Sequence, residues 1–120
     1  MVRGIRGATT ADANTKEEIL GKSRELLDAV IKKNELKIED MVSIIFSVTD
    51  DLDAGFPALA VREMGLSYTP LFCTQEMRVQ NSLKKCIRLL VHVNTDIDQK
   101  NIKHVFLHGA QNLRPDLVAE

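Results

Sequence analysis

Two charged side chains stand inside a stretch that is otherwise apolar. Pro70 to Val93 reads PLFCTQEMRVQNSLKKCIRLLVHV, with the runs Leu71–Phe72–Cys73 and Cys86 to Val91 on either side of a polar link. Glu76 follows the first run, and Arg88 lies within the second. An arginine is rarely buried without a partner, and leaving one unpaired costs several kcal/mol. Four aliphatic residues and a cysteine surround Arg88, so its guanidinium is expected to face an anion, either Glu76 or a bound ligand. Three further arginines, Arg6, Arg62 and Arg114, sit on or beside apolar segments. Guanidinium forks hold carboxylates by paired, charge-assisted hydrogen bonds, so their convergence would suit a small polycarboxylate. The alternative is a set of separate surface salt bridges, each nearly neutral in energy.

Other reactive constellations find less support. His92, His104 and His108 have no Cys or His neighbour at ligand spacing; on a strand, His104 and His108 share a face but lie too far apart to chelate easily. No metal is expected. Asp50, Asp51 and Asp53 lack the glycine and distal glutamate of a calcium loop and read as a solvated turn. There is no Gly-rich phosphate loop, nucleophile elbow or dinucleotide fingerprint. Cys73 has no evident histidine partner and reads as a buried structural thiol.

The elements that must carry these residues are mostly legible. Val2 to Ala11 is strand-like, with Val2, Gly4, Arg6 and Ala8 on one face and Arg3, Ile5 and Thr9 on the other. Its glycines suit either an edge strand with two solvated arginines or a close approach to the backbone. Thr15 to Asn34 is the clearest helix. Thr15 and Glu18 form a capping box, Ile19, Leu20, Leu26, Leu27, Val30 and Ile31 make one apolar face, and Asn34 is a stop. Met41 to Thr49 is a β-branched, central strand after a short turn. Pro57 opens a short helix that Gly65 ends, with Arg62 one turn beyond Ala58. Ile102 to Leu107 resumes strand character, Gly109 to Leu113 turns, and a polar tail begins at about residue 115 that would suit a lid.

These 120 residues fit one domain, and no linker or repeat divides them. A chain of this size often completes its active surface by oligomerising. The formal net charge of −1 gives no support to nucleic-acid or other polyanion binding. Two cysteines, one per apolar run, suggest reduced, buried thiols. With no secretory signal and no apolar stretch of membrane-spanning length, a cytoplasmic soluble protein is expected, with no membrane partner.

The strings RGIRGATT (Arg3 to Thr10), FPALAVRE (Phe56 to Glu63), CTQEM (Cys73 to Met77), LKKCIR (Leu83 to Arg88) and LRPDL (Leu113 to Leu117) add a family resemblance. In order and spacing they resemble the trimeric, monofunctional chorismate mutases of the α/β-barrel class, over almost the whole chain. The resemblance implies an α+β fold, a mixed β-sheet packed with helices, with three subunits forming a pseudo α/β barrel and active sites between neighbours. It implies a cofactor-free rearrangement of chorismate to prephenate on the route to phenylalanine and tyrosine, with chorismate as the small-molecule partner.

Carried over residue by residue, Arg88 matches the cation beside the breaking ether oxygen, and Arg6 matches a carboxylate binder. Glu76 matches the acceptor for the ring hydroxyl, and Cys73 its hydrogen-bonding neighbour. Phe56, Ala58, Leu59, Leu71 and Phe72 match apolar walls, while Arg62, Leu113 and Arg114 match outer positions that attract or enclose the substrate. One position departs from the pattern: HVYL is usual, and this chain has HVFL, with Phe106 keeping the ring but not the hydroxyl. Two alternatives are a trimeric, imine-deaminase-like enzyme, which also binds small carboxylates with arginine, and a non-catalytic sensor of an aromatic-pathway carboxylate.

Overall fold

In the computed structural model, residues 1–114 are described; the tail from about 115 lies outside them. The elements are β1 (Val2–Thr10), α1 (Lys16–Lys33), β2 (Met41–Val48), α2 (Pro57–Glu63), β3 (Leu71–Gln75), β4 (Cys86–Asn94) and β5 (Val105–Phe106). One mixed sheet runs in the order β3-β2-β4-β1-β5. β4 is antiparallel to both β1 and β2, while β3 joins β2 and β5 joins β1 in parallel. Each parallel strand at the edge needs a crossover, and α2 supplies the one between β2 and β3.

Strand alternation gives the sheet two unlike faces. Ile5 of β1, Ile44 and Phe46 of β2, and Ile87, Leu89, Val91 and Val93 of β4 are buried on one of them. Ile19, Leu26, Leu27 and Val30 of α1 and Val61 of α2 join them in the main core. Gly7 lets α1 approach closely: a Cβ there would meet Leu89 Cδ1 at 3.0 Å and Leu26 Cδ1 at 3.2 Å. The close-approach reading of the β1 glycines therefore holds at Gly7.

Thr15 caps α1, its Oγ1 accepting the Glu18 N–H at 3.2 Å. The return half of the box goes elsewhere, since Glu18 Oε1 accepts from the Asp12 N–H. Asn34 does more than stop the helix. Its Oδ1 accepts the Lys103 N–H at 2.8 Å and its Nδ2 donates to the Lys103 carbonyl, pinning the entry to β5.

Several expectations need correction. β1 is not an edge strand, because β5 pairs along it. Arg3 is not simply solvated, for its Nε donates to the Ile97 carbonyl at 3.0 Å. The strand expected over Ile102 to Leu107 shrinks to two residues. Side chains explain this: His104 Nδ1 takes the Arg6 N–H, and Asn34 takes that of Lys103.

The acidic turn is structural rather than merely solvated. Asp51 accepts from the Thr49 hydroxyl and, with both oxygens, from the Lys85 N–H. Burial opposes its ionisation, but those hydrogen bonds prevail and hold the carboxyl below its usual pKa. Asp53 is tied to Asn14, and Asp50 lies 3.7 Å from Arg78. Cys86 is buried, as expected, and burial pushes its thiol pKa up; Cys73 is only half-buried. Among the described residues, no helix is long and apolar enough to cross a membrane.

Candidate active site

The face of the sheet turned away from the helices carries Arg6 and Arg88. Strand register aligns Thr74, Ser47, Arg88, Ala8 and Phe106 in one row across all five strands. A second row, Phe72, Ile45, Leu90 and Arg6, runs beside it. Residues Arg6, Ser47, Arg88, Phe106 and Arg114 line a cleft of about 330 Å³ on this face. Three of the four arginines singled out in the sequence thus line one cleft, and Arg88 also lies at ion-pair distance from Glu76.

Of the two partners posed for Arg88, Glu76 is the one that lies beside it. Arg88 Nε lies 3.1 Å from Glu76 Oε2, an ion-pair distance. Yet the buried Nε has no hydrogen-bond partner, so its N–H does not aim at the carboxylate. The side chain keeps 43% of its surface within this otherwise apolar run. Period-two alternation is the reason: Ile87 and Leu89 enter the core while Arg88 points into the cleft. Glu76 Oε2 instead receives the Ser47 hydroxyl at 2.9 Å, and Oε1 accepts the Met77 N–H at 3.2 Å.

Arg6 is held by a residue first considered only as a metal ligand. The Arg6 backbone N–H donates to His104 Nδ1 at 2.9 Å. Nδ1 must therefore be bare and Nε2 protonated, so the 3.3 Å approach of Arg6 Nη1 to Nε2 is a packing contact rather than a hydrogen bond. Burial first, then the charges of Arg6 and Arg114, lowers the His104 pKa. Folding therefore favours the neutral ring. Its contribution to stability is complete above the ordinary histidine value of about 6.5 and is lost as pH falls through the lower folded value. On acidification through that range, the melting temperature of the wild type is expected to fall more than that of His104→Asn, which offers a non-titrating acceptor to the Arg6 N–H. Parallel acid profiles for the two proteins would count against this role.

The remaining candidates lie elsewhere on the chain. Phe56, Leu59 and Cys73 line a separate cleft of about 580 Å³ where α2 begins beside β3. Cys73 pairs in register with Phe46 and packs on the core side of the sheet, as Leu71 does. Ala58 is on the buried side of α2, Arg62 is exposed on the same helix, and Phe72 stands 65% exposed on the open face. Leu113 packs on a small cluster of Ala8, Cys86, Phe106 and Ala110. Within the chain, then, Arg6, Glu76, Arg88, Phe106 and Arg114 gather on one surface, and Phe56, Leu59 and Cys73 on another. Among the described residues no group of three His, Cys, Asp or Glu side chains could hold a metal ion.

Sequence reasoning missed Ser47 and the part played by His104. The signal for Ser47 was present in SIIFSVT, where the polar residues Ser43 and Ser47 fall on the face opposite Ile44 and Phe46. No sequence signal reveals the 98-residue reach from His104 back to Arg6.

Fold and site together define a small α+β protein with an arginine-lined cleft on the open face of its sheet. Residues 2–117 match the family described as Chorismate mutase type I. The chain is 52% identical over 118 residues to Chorismate mutase AroH of Bacillus subtilis (strain 168), covering 98% of this chain and 93% of that one. It is 44% identical to Chorismate mutase AroH of Thermus thermophilus, covering 98% and 97%. Its fold superimposes with a TM-score of 0.89 on the chorismate mutase from Clostridium thermocellum, at 54% identity over 90% of this chain and 96% of that one. The chain belongs to the chorismate mutase type I family and, with it, to the isomerases.

Proposed function

We propose that the chain is a cytoplasmic enzyme of aromatic amino acid biosynthesis that rearranges chorismate to prephenate without a cofactor. The observation that carries this reading is the placement of Arg88, Arg6 and Arg114 on one cleft. The rearrangement breaks a C–O bond and forms a C–C bond in one step, so no nucleophile or proton carrier is required. Rate enhancement comes from holding the compact, diaxial conformer and from meeting charge as it develops. Arg88 faces the ether oxygen, which gains negative charge as its bond to carbon lengthens. Arg6 takes a carboxylate, while Glu76 offers a remaining lone pair to the ring hydroxyl. Phe106 supplies an apolar wall, and Arg114 and Arg62 draw the dianion in.

The working unit in this proposal is a homotrimer, with each site shared by two neighbours. Its sheets face inward and its helices lie outside. Two features support it. The open sheet face exposes large apolar side chains, Phe72 at 65%, Val42 at 41% and Ile45 at 36%, which a second subunit would cover. The two groups of candidate residues also occupy separate surfaces of one chain, as halves of a shared site must. Phe56, Ala58, Leu59, Leu71 and Cys73 would come from one subunit, and the arginine-lined cleft, with Phe72 on the same sheet face, from its neighbour.

The decisive test is the loss of chorismate absorbance on adding purified protein, with prephenate as product. Binding without turnover would instead indicate a sensor, and a product with a new carbonyl oxygen would indicate water-activating chemistry of the imine-deaminase kind. Phe106→Tyr is expected to lower KM about fivefold by restoring a donor to the cleft, worth about 1 kcal/mol. An unchanged or raised KM would remove position 106 from substrate binding.

A further inference from the structure

Glu76 and Arg88 pose a problem that the proposed reaction leaves open. A carboxylate beside a guanidinium ordinarily closes into a paired, two-point contact, which would consume the positive charge the ether oxygen needs. Here that closure does not occur. Glu76 Oε2 sits 3.1 Å from Arg88 Nε, but the Nε–H has no hydrogen-bond partner. The hydrogen bond to that oxygen comes from the Ser47 hydroxyl, at 2.9 Å. Ser47 lies directly opposite Arg88 in the β2–β4 register and lines the same cleft, so its position is set by the sheet rather than by a loop.

We infer that Ser47 is a positioning residue that draws the Glu76 carboxylate away from full pairing with Arg88 and leaves the guanidinium available to the transition state. The inference rests on the proposed chorismate rearrangement and deepens it. Ser47 acts through Glu76 rather than on the substrate. Without the hydroxyl, Oε2 turns to the nearest donor, the Arg88 Nε–H, and the guanidinium is held against Glu76 rather than toward the ether oxygen. Charge appears on the ether oxygen only as the reaction proceeds, so the loss falls on kcat far more than on KM.

The test compares Ser47→Ala with the equal-shaped pair Ser47→Thr and Ser47→Val, each assayed for kcat and KM on chorismate. A hydrogen bond to a charged group sets the expected loss in kcat at about ten- to hundredfold for Ser47→Ala and Ser47→Val, with KM changed by less than about threefold. Ser47→Thr keeps the hydroxyl and is expected to retain most of the rate. Because Thr and Val share a shape, a failure of the alanine variant to fold leaves the comparison intact. In a Glu76→Gln background the effect of Ser47→Ala should shrink to about twofold or less, because a neutral amide does not close on Arg88; a purely architectural serine would keep its full effect there. Equal rates for the Thr and Val variants, a change confined to KM, or an undiminished loss in the Glu76→Gln background would each overturn the inference. A wild-type chain that does not turn over chorismate would overturn the underlying reaction and the inference with it, whereas an active wild type with any of those three results overturns the inference alone.

Discussion

Arg88→Ala is expected to lower kcat for chorismate by about 10²–10³-fold, the usual cost of removing one donor from a developing oxyanion. The guanidinium stands in the middle strand of the sheet, flanked by the buried residues Ile87 and Leu89, so its base cannot drift. A cation fixed in place beforehand needs no reorganisation as charge appears. The substitution has a second consequence. It leaves Glu76 facing a dianionic substrate with no cation beside it, so KM should rise as well. Arg88→Lys restores the charge but not the planar fork, and should recover only part of the rate. Steady-state kinetics on the three proteins, with circular dichroism to confirm folding, measure this directly. Near-normal turnover by Arg88→Ala would take Arg88 out of the mechanism.

Mixing two inactive variants should restore activity if neighbouring subunits share each site. Arg88→Ala spoils the arginine-lined cleft, whereas Leu59→Glu places an anion in the separate cleft that also holds Phe56 and Cys73. Each variant alone should be nearly silent. In a trimer reassembled from equal amounts, a site is intact only when one neighbour supplies an undamaged first half and the other an undamaged second half. With random assembly this occurs at about a quarter of the sites, so about a quarter of wild-type activity should return. The mixture is unfolded and refolded together so that the two chains assort at random. A mixture no more active than its components would place the whole site within one chain and refute the shared arrangement.

Much of this was legible before any coordinates. The α1 helix followed from the spacing of Ile19, Leu26, Leu27 and Val30 and from its cap at Thr15, because those signals act within a few residues. Arg88 and Glu76 stood out because charges in apolar runs demand partners. The strand over Ile102 to Leu107 was overestimated, since propensity could not foresee Asn34 and His104 taking the backbone groups that a ladder would have used. The acidic turn was underestimated for a similar reason: the partner of Asp51 is the Lys85 backbone, 34 residues away.

By itself, the sequence determined the helices, most of the strands and the identity of the charged residues that need an explanation. Those properties depend on local periodicity and on the cost of burying charge, and both are written in neighbouring residues. Only the tertiary structure decided that Arg6, Arg88 and Arg114 share one cleft, that β1 is enclosed by β4 and β5, and that Ser47 rather than Arg88 provides the hydrogen bond to Glu76 Oε2. Those facts depend on strand order and register, which join residues as far apart as 6 and 104. No local preference encodes such a pairing, because it becomes favourable only once the whole sheet has formed.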